Sequence, residues 1–170
     1  MSYSLSFRKN IACPPAGGQC YGKFKHHLEA MGFTVYPTEF DCINSEHPLV
    51  DIAAKMGSFY WAFEYKSESD SISRGIEQLR CYGRWFDYVV LVSERFLDHR
   101  RSENYWKLKS MGAGLWAYYP DQDKCIPMLQ PVALDPSSHR RRLVTRRFRA
   151  RDGLLRRRNI DASLYSCLTV

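Results

Sequence analysis

The six cysteines of this 170-residue chain, at positions 13, 20, 42, 81, 125 and 167, include no C-x-x-C pair and no spacing typical of a zinc site. Reduced, mostly buried thiols are the expected state, with a structural zinc as the minor alternative. No segment approaches the roughly 18 uninterrupted apolar residues of a membrane span. The opening MSYSLSFRKN also has no apolar signal core, so a cytoplasmic protein that is not secreted is the expectation. Glycine-rich phosphate loops are missing as well: neither G-x-x-x-x-G-K-[ST] nor G-x-G-x-x-G is present, and no Ser or Cys sits in a G-x-S-x-G elbow. These absences count against an α/β enzyme working on small molecules. There is no internal repeat.

What is present fits a single sizeable core: 45% of the residues are apolar. The net charge of +7 is concentrated rather than spread. Residues 139 to 158, HRRRLVTRRFRARDGLLRRR, hold ten arginines and one acid, Asp152, which makes that segment +9 and the other 150 residues −2. Guanidinium groups bind phosphates bidentately, so nucleic acid is the leading partner for this run. Arg140, Arg141, Arg142, Arg146, Arg147 and Arg149 are the candidate contacts. A solvated amphipathic helix or a disordered basic tail is the plainer alternative. An anionic membrane surface suits the run less well, because it has few aromatic anchors. The charge shift sets the expected organisation, a core domain over 1–135 and an arginine-rich C-terminal extension over 136–170.

Along the core, the periodicities alternate between helix and strand and predict an α/β domain. Residues 17 to 31 place Tyr21, Phe24, Leu28 and Met31 on one helical face, and Gly32 follows as a stop. FTVYPTEF, 33 to 40, predicts a short strand interrupted by Pro37. Residues 71 to 85 place Ile72, Ile76, Leu79 and Gly83 on one helical stripe, with Arg74, Gln78 and Tyr82 on the next, and DYVVLVSE reads as a central strand reached through that helix. A polar helix over 95–111 and strands in AGLWAYY and KCIPMLQPV complete the pattern.

Between these elements, Gly57-Ser58 divides HPLVDIAAKMGSFYWAFEYKSES into two apolar runs, as a tight hairpin would. If Met56 faces Phe59 across the turn, opposing positions sum to 115 and Asp51 lies opposite Glu64. Glu64 and Lys66 then share a face with Tyr60 and Ala62, while Phe59, Trp61, Phe63 and Tyr65 take the other. Two neighbouring carboxylates repel by more than ~1 kcal/mol unless a positive charge intervenes or one of them is protonated. A divalent cation removes the conflict, and hard oxygen donors suit Mg²⁺ or Mn²⁺. Lys66 is placed to orient a water or to offset charge on a phosphate. A surface Glu64/Lys66 pair beside a turn aspartate is the plainer alternative.

The order Asp51, hairpin, Glu64-Tyr65-Lys66, helix, strand resembles the PD-(D/E)XK nuclease superfamily, also called restriction-endonuclease-like. Gln78-Leu-Arg-Cys-Tyr82 matches the Q-x-x-x-Y motif of its RecB-like branch. The likeness spans roughly residues 20 to 120, and it departs from the pattern where Val50, not proline, precedes Asp51. It implies a three-layer sandwich with a central mixed sheet, and a Mg²⁺- or Mn²⁺-dependent cut of nucleic acid, DNA preferred. By the same resemblance Asp51, Glu64 and the Tyr65 carbonyl hold the ion, and Lys66 positions the nucleophile. Gln78 and Tyr82 support the lysine or touch the nucleic-acid backbone, and Arg74 adds a phosphate contact. A further ligand often comes from upstream; Glu39 is preferred over Glu29 and His47. Such nucleases often pair as homodimers when both strands are cut. A catalytically silent binding or assembly module on the same fold is the alternative.

Overall fold

The structure is a computed structural model that describes residues 18–36, 40, 49–94 and 102–166, with side chains described for 21–36, 40, 49–94 and 102–153. The chain order is α1 (Gly18–Ala30), β1 (Thr34–Val35), β2 (Ile52–Met56), β3 (Phe59–Lys66), α2 (Ile72–Tyr82), β4 (Tyr88–Ser93), α3 (Glu103–Ser110), β5 (Gly114–Tyr119), β6 (Lys124–Leu129) and α4 (Ser138–Ser166). The six strands form one mixed sheet in sequential order. β3, β4 and β5 run parallel, joined by crossovers through α2 and α3, while the outer pairings are antiparallel. Parallel neighbours require such crossovers, and the crossovers put helices on the sheet.

Alternation along the strands supplies two apolar faces. On one, Phe24 and Leu28 of α1 pack with Phe63, Tyr65, Val90, Val92 and Tyr118. On the other, Ile72, Ile76 and Leu79 of α2 and Leu108 of α3 pack over Tyr60, Ala62, Val89 and Leu91. The expected α/β class with a covered mixed sheet is therefore present, its helices lying on both faces. α4 joins the second face through Val144 and Phe148, which are 1% and 2% exposed. The segment expected to begin an extension thus contributes to the same core. Among the described residues, no helix is long and apolar enough to cross a membrane, and Cys81 and Cys125 are free thiols.

The β2–β3 hairpin has the predicted register, with Met56 opposite Phe59 and Ile52 opposite Phe63. Gly57 has φ +59°, the left-handed value that the first position of a primed two-residue turn requires. Three expected elements cover fewer described residues than predicted. β1 has two residues, with Phe40 pairing separately to Val50; Pro37 lies outside the described residues. Of the helix expected over 95–111, α3 begins after Ser102, whose hydroxyl accepts the Tyr105 N–H at 3.2 Å as an N-cap; residues 95–101 lie outside the described residues. Met31 lies past the end of α1 and is exposed, so the helical face it was expected to extend ends at Leu28.

Candidate functional site

The candidate site forms where β2 leaves the ladder. The ladder ends at Ile52–Phe63, and Asp51 occupies a bend. Side-chain alternation breaks there, because Val50 and Ala53 both lie in the α2-side cluster. Val50 exchanges both of its backbone hydrogen bonds with Phe40, at 2.9 and 3.0 Å. The next N–H on that edge of β3, Tyr65, therefore has no β2 backbone to meet, and Asp51 Oδ2 accepts it at 2.9 Å. In a strand, the N–H and C=O of one residue project from the same edge, so the Tyr65 carbonyl points to Asp51's side of β3. From α1, the Tyr21 hydroxyl donates to the Asp51 carbonyl.

Glu64 lies beneath α2 and has no exposed surface; the expected Asp51–Glu64 pairing is not part of the ladder, because the bend takes Asp51 out of β2. Its Oε1 accepts from the Lys66 ammonium at 2.5 Å, and its Oε2 lies 2.7 Å from the Tyr82 hydroxyl. Lys66 also donates to Gln78 Oε1 at 3.2 Å, and Gln78 Nε2 lies 3.5 Å from the Tyr82 oxygen. The Tyr82 hydroxyl is in addition 2.7 Å from the Leu49 carbonyl. Glu64, Lys66, Gln78 and Tyr82 therefore form one hydrogen-bonded group; the half-buried Asp51, held on the Tyr65 N–H, lies near enough for its charge to act on Glu64.

Burial and then the charge of Asp51 raise the Glu64 carboxyl from 4.5 to about 7, against the opposing pull of Lys66 and of the hydrogen bonds from Lys66 and Tyr82. Proton counting agrees. A hydroxyl carries one proton, yet Tyr82 faces two acceptor oxygens at 2.7 Å. A protonated Glu64 resolves this by donating to Tyr82 while Tyr82 donates to Leu49.

Two positions invisible to pattern reading complete the group. Gly75, in the interior of α2, lies directly above the site: a Cβ there would stand 2.8 Å from Leu91 Cδ1, 2.9 Å from Lys66 Cε and 3.5 Å from Glu64 Cγ. Its only sequence signal is a glycine spending helix stability in mid-helix. Glu94, just past β4, accepts the Tyr65 hydroxyl at 2.5 Å and donates its N–H to the Lys66 carbonyl at 3.0 Å. It ends the predicted central strand, where an acid is unremarkable.

Tyr82 is 1% exposed, so it supports Glu64 and is not a surface contact. Arg74 is exposed on the first turn of α2. Glu29 is exposed on α1 beside His26, away from the group; Glu39 and His47 lie outside the described residues. Among the described residues, no three His, Cys, Asp or Glu side chains converge as a metal cluster. Of the arginines in α4, Arg140 lies over Trp85, Arg147 over Phe40, and Arg141 pairs with buried Asp87 at 3.4 Å. Arg142, Arg146 and Arg149 are exposed.

No family model matches the sequence, and no curated protein does. Among solved structures, the chain is similar to the SPO1766 protein of unknown function from Silicibacter pomeroyi, with TM-score 0.59, 16% identity, and coverage of 84% of this chain and 88% of that one. It is also similar to an XisH family protein from Nostoc punctiforme, at TM-score 0.45 and 15% identity over 68% of this chain and 98% of that one. At such identities the first likeness bears on the fold alone, and the second is too loose to bear even on that.

Proposed function

We propose that this protein is a PD-(D/E)XK-type nuclease, hydrolysing nucleic-acid phosphodiester bonds with a divalent cation, Mg²⁺ or Mn²⁺, and DNA as the preferred substrate. One observation carries the reading. Glu64 is a buried carboxyl held up near 7 by burial and by Asp51, with the Lys66 ammonium 2.5 Å away. Such a carboxyl is poised to ionise when a cation arrives. The donors fit a hard ion, since two carboxylates and the Tyr65 carbonyl edge supply only oxygen, and few ligands suit a metal that keeps several waters.

Asp51, Glu64 and the Tyr65 carbonyl would hold the ion, which when bound supplies a polarised water and charge neutralisation at phosphate oxygens. The chain's own groups do the rest. Lys66 and Tyr82 fix the two Glu64 oxygens, leaving each a second lone pair. Lys66, held also by Gln78, presents an ammonium where negative charge grows as the water oxygen adds to phosphorus and the P–O3′ bond breaks. The products are a 3′-hydroxyl and a 5′-phosphate. Arg74, exposed at the start of α2, is available to a neighbouring phosphate. Pairing of two copies follows if both strands of a duplex are cut.

A catalytically silent module on the same fold is the rival, favoured by the complete burial of Glu64. The deciding experiment incubates the protein with labelled linear, circular, single-stranded and branched DNA and with RNA, with and without Mg²⁺ or Mn²⁺. Metal-dependent cleavage is expected, reduced at least ~10²-fold by Asp51→Ala or Lys66→Ala with binding retained. If no substrate is cut under any condition, the silent module is the better description.

A further inference from the structure

The arginines of α4 whose side chains are described divide by face. Four are turned toward the core. Arg140 covers Trp85 at 5.4 Å, Arg147 covers Phe40 at 5.4 Å and Arg151 covers Tyr36 at 5.7 Å. Arg141 pairs with Asp87 at 3.4 Å and donates to the Ser58 carbonyl. These flank Val144 and Phe148 and turn inward on the sheet, Arg141 onto an acid and Arg140, Arg147 and Arg151 onto aromatic rings. Arg142, Arg146 and Arg149 are different: they are exposed and pair with no described acid.

At 100° per residue those three fall within about 60° of one another, on the side opposite Val144 and Phe148. Like charges at i,i+3 and i,i+4 destabilise a helix by roughly 0.2–0.5 kcal/mol per pair, a penalty that a bound polyanion would relieve. The three also rise about 10 Å along the axis, at 1.5 Å per residue. A duplex strand offers a phosphate every 3.4 Å or so of its axis, so about three phosphates match that rise. Around the stripe lie His139, Ala150 and Gly153, and the one large apolar neighbour described, Leu143 beside Arg146, is half-buried and packed on the core, so no exposed apolar anchor for insertion into a bilayer is described there.

We infer that Arg142, Arg146 and Arg149 form a rail for the phosphodiester backbone of a nucleic-acid duplex, a binding surface separate from the cleavage site, while Arg140, Arg141, Arg147 and Arg151 are structural. The choice of nucleic acid over other polyanions rests on the function proposed above; the division of the arginines does not. The rail adds affinity without sequence readout, because phosphate contacts position but do not specify.

The test titrates the full chain into a fluorescent duplex, DNA in one arm and RNA in the other, by anisotropy in EDTA across a KCl series. The Arg142→Gln/Arg146→Gln/Arg149→Gln variant should reduce the slope of log affinity against log salt by about 2.7, at 0.9 per phosphate. The corresponding triple lysine variant should keep the slope, and each single glutamine variant should lose about 0.9, with unchanged melting by circular dichroism. An unchanged slope in the triple glutamine variant overturns the rail. So does arginine-dependent binding to phosphatidylserine vesicles without arginine-dependent binding to either duplex. Because no metal is present, failure to cleave any substrate leaves this result standing, and a flat slope in a cleaving enzyme defeats the rail alone.

Discussion

At the scale of single residues, Glu64 carries the sharpest consequence. Its folded value of about 7 lies above the ordinary 4.5, so folding takes up a proton between those limits. Below about pH 4.5 the carboxyl is protonated in both folded and unfolded chains, and its contribution is fully present. As pH rises through 7 the folded protein must ionise a buried group, and roughly 3 kcal/mol is lost, because each pH unit between the two values is worth about 1.36 kcal/mol. Urea denaturation of the metal-free protein from pH 5 to 8 should therefore show falling stability, and Glu64→Gln should flatten the fall. Equal slopes in the two proteins would remove burial of this carboxyl as the cause. Added Mg²⁺ or Mn²⁺ should stabilise most above pH 7, because only the ionised carboxylate binds a cation well. The hairpin register as far as Ile52–Phe63, and the shared face of Glu64 and Lys66, were legible in the sequence because a two-residue turn fixes register and side chains alternate along a strand. The bend at Asp51 was not. It depends on Val50 turning to pair with Phe40, a contact between segments ten residues apart that no local pattern encodes.

Elements set how closely these residues approach, and α2 is the decisive one. Its apolar stripe of Ile72, Ile76 and Leu79 was readable from a 3.6-residue period, and its N-cap is Ser71. Gly75 was not readable as functional, since its importance lies in the distance between a helix and the strand beneath it. Lys66 and Glu64 pass under α2 in the space that a Cβ would fill. Gly75→Ala sets two opposed effects against each other. Alanine gains about 1 kcal/mol of helix propensity, while overpacking against Leu91 and Lys66 costs about 1–3 kcal/mol. Global stability should move little, yet the lysine stem must shift, and with it the ammonium. Cleavage is expected to fall at least about tenfold, equal to 1.4 kcal/mol of transition-state stabilisation, with metal-free nucleic-acid affinity unchanged. Wild-type cleavage in the alanine variant would show that Lys66 is not held in place by that close approach.

For the molecule as a whole, the question is whether the arginine-rich helix is an appendage or a part of the fold. Composition alone pointed to an appendage, because ten arginines in twenty residues blur any amphipathic pattern. Two apolar positions four residues apart, Val144 and Phe148, were the signal beneath that charge. Phe148 packs on Tyr36, Phe40 and Tyr60 at 5.1 to 5.9 Å between ring centroids, touching both the Phe40–Val50 pairing that shapes the site and the strand that carries Glu64. Asp87 provides a second attachment: it is buried, accepts the Tyr60 N–H at 2.7 Å, and faces Arg141. Removing a buried aromatic ring costs about 3–5 kcal/mol, a large share of the roughly 5–15 kcal/mol that holds a domain folded. Phe148→Ala should therefore lower the urea midpoint strongly, whereas Arg149→Gln, one residue along on the outer face, should change stability by no more than about 0.5 kcal/mol. Binding should show the reverse order under conditions where both variants are folded, with Arg149→Gln lowering the salt slope by about 0.9 and Phe148→Ala keeping it. Equal stability in the two variants would mean that α4 does not belong to the core, and the inward and outward arginines would then lose their separate roles.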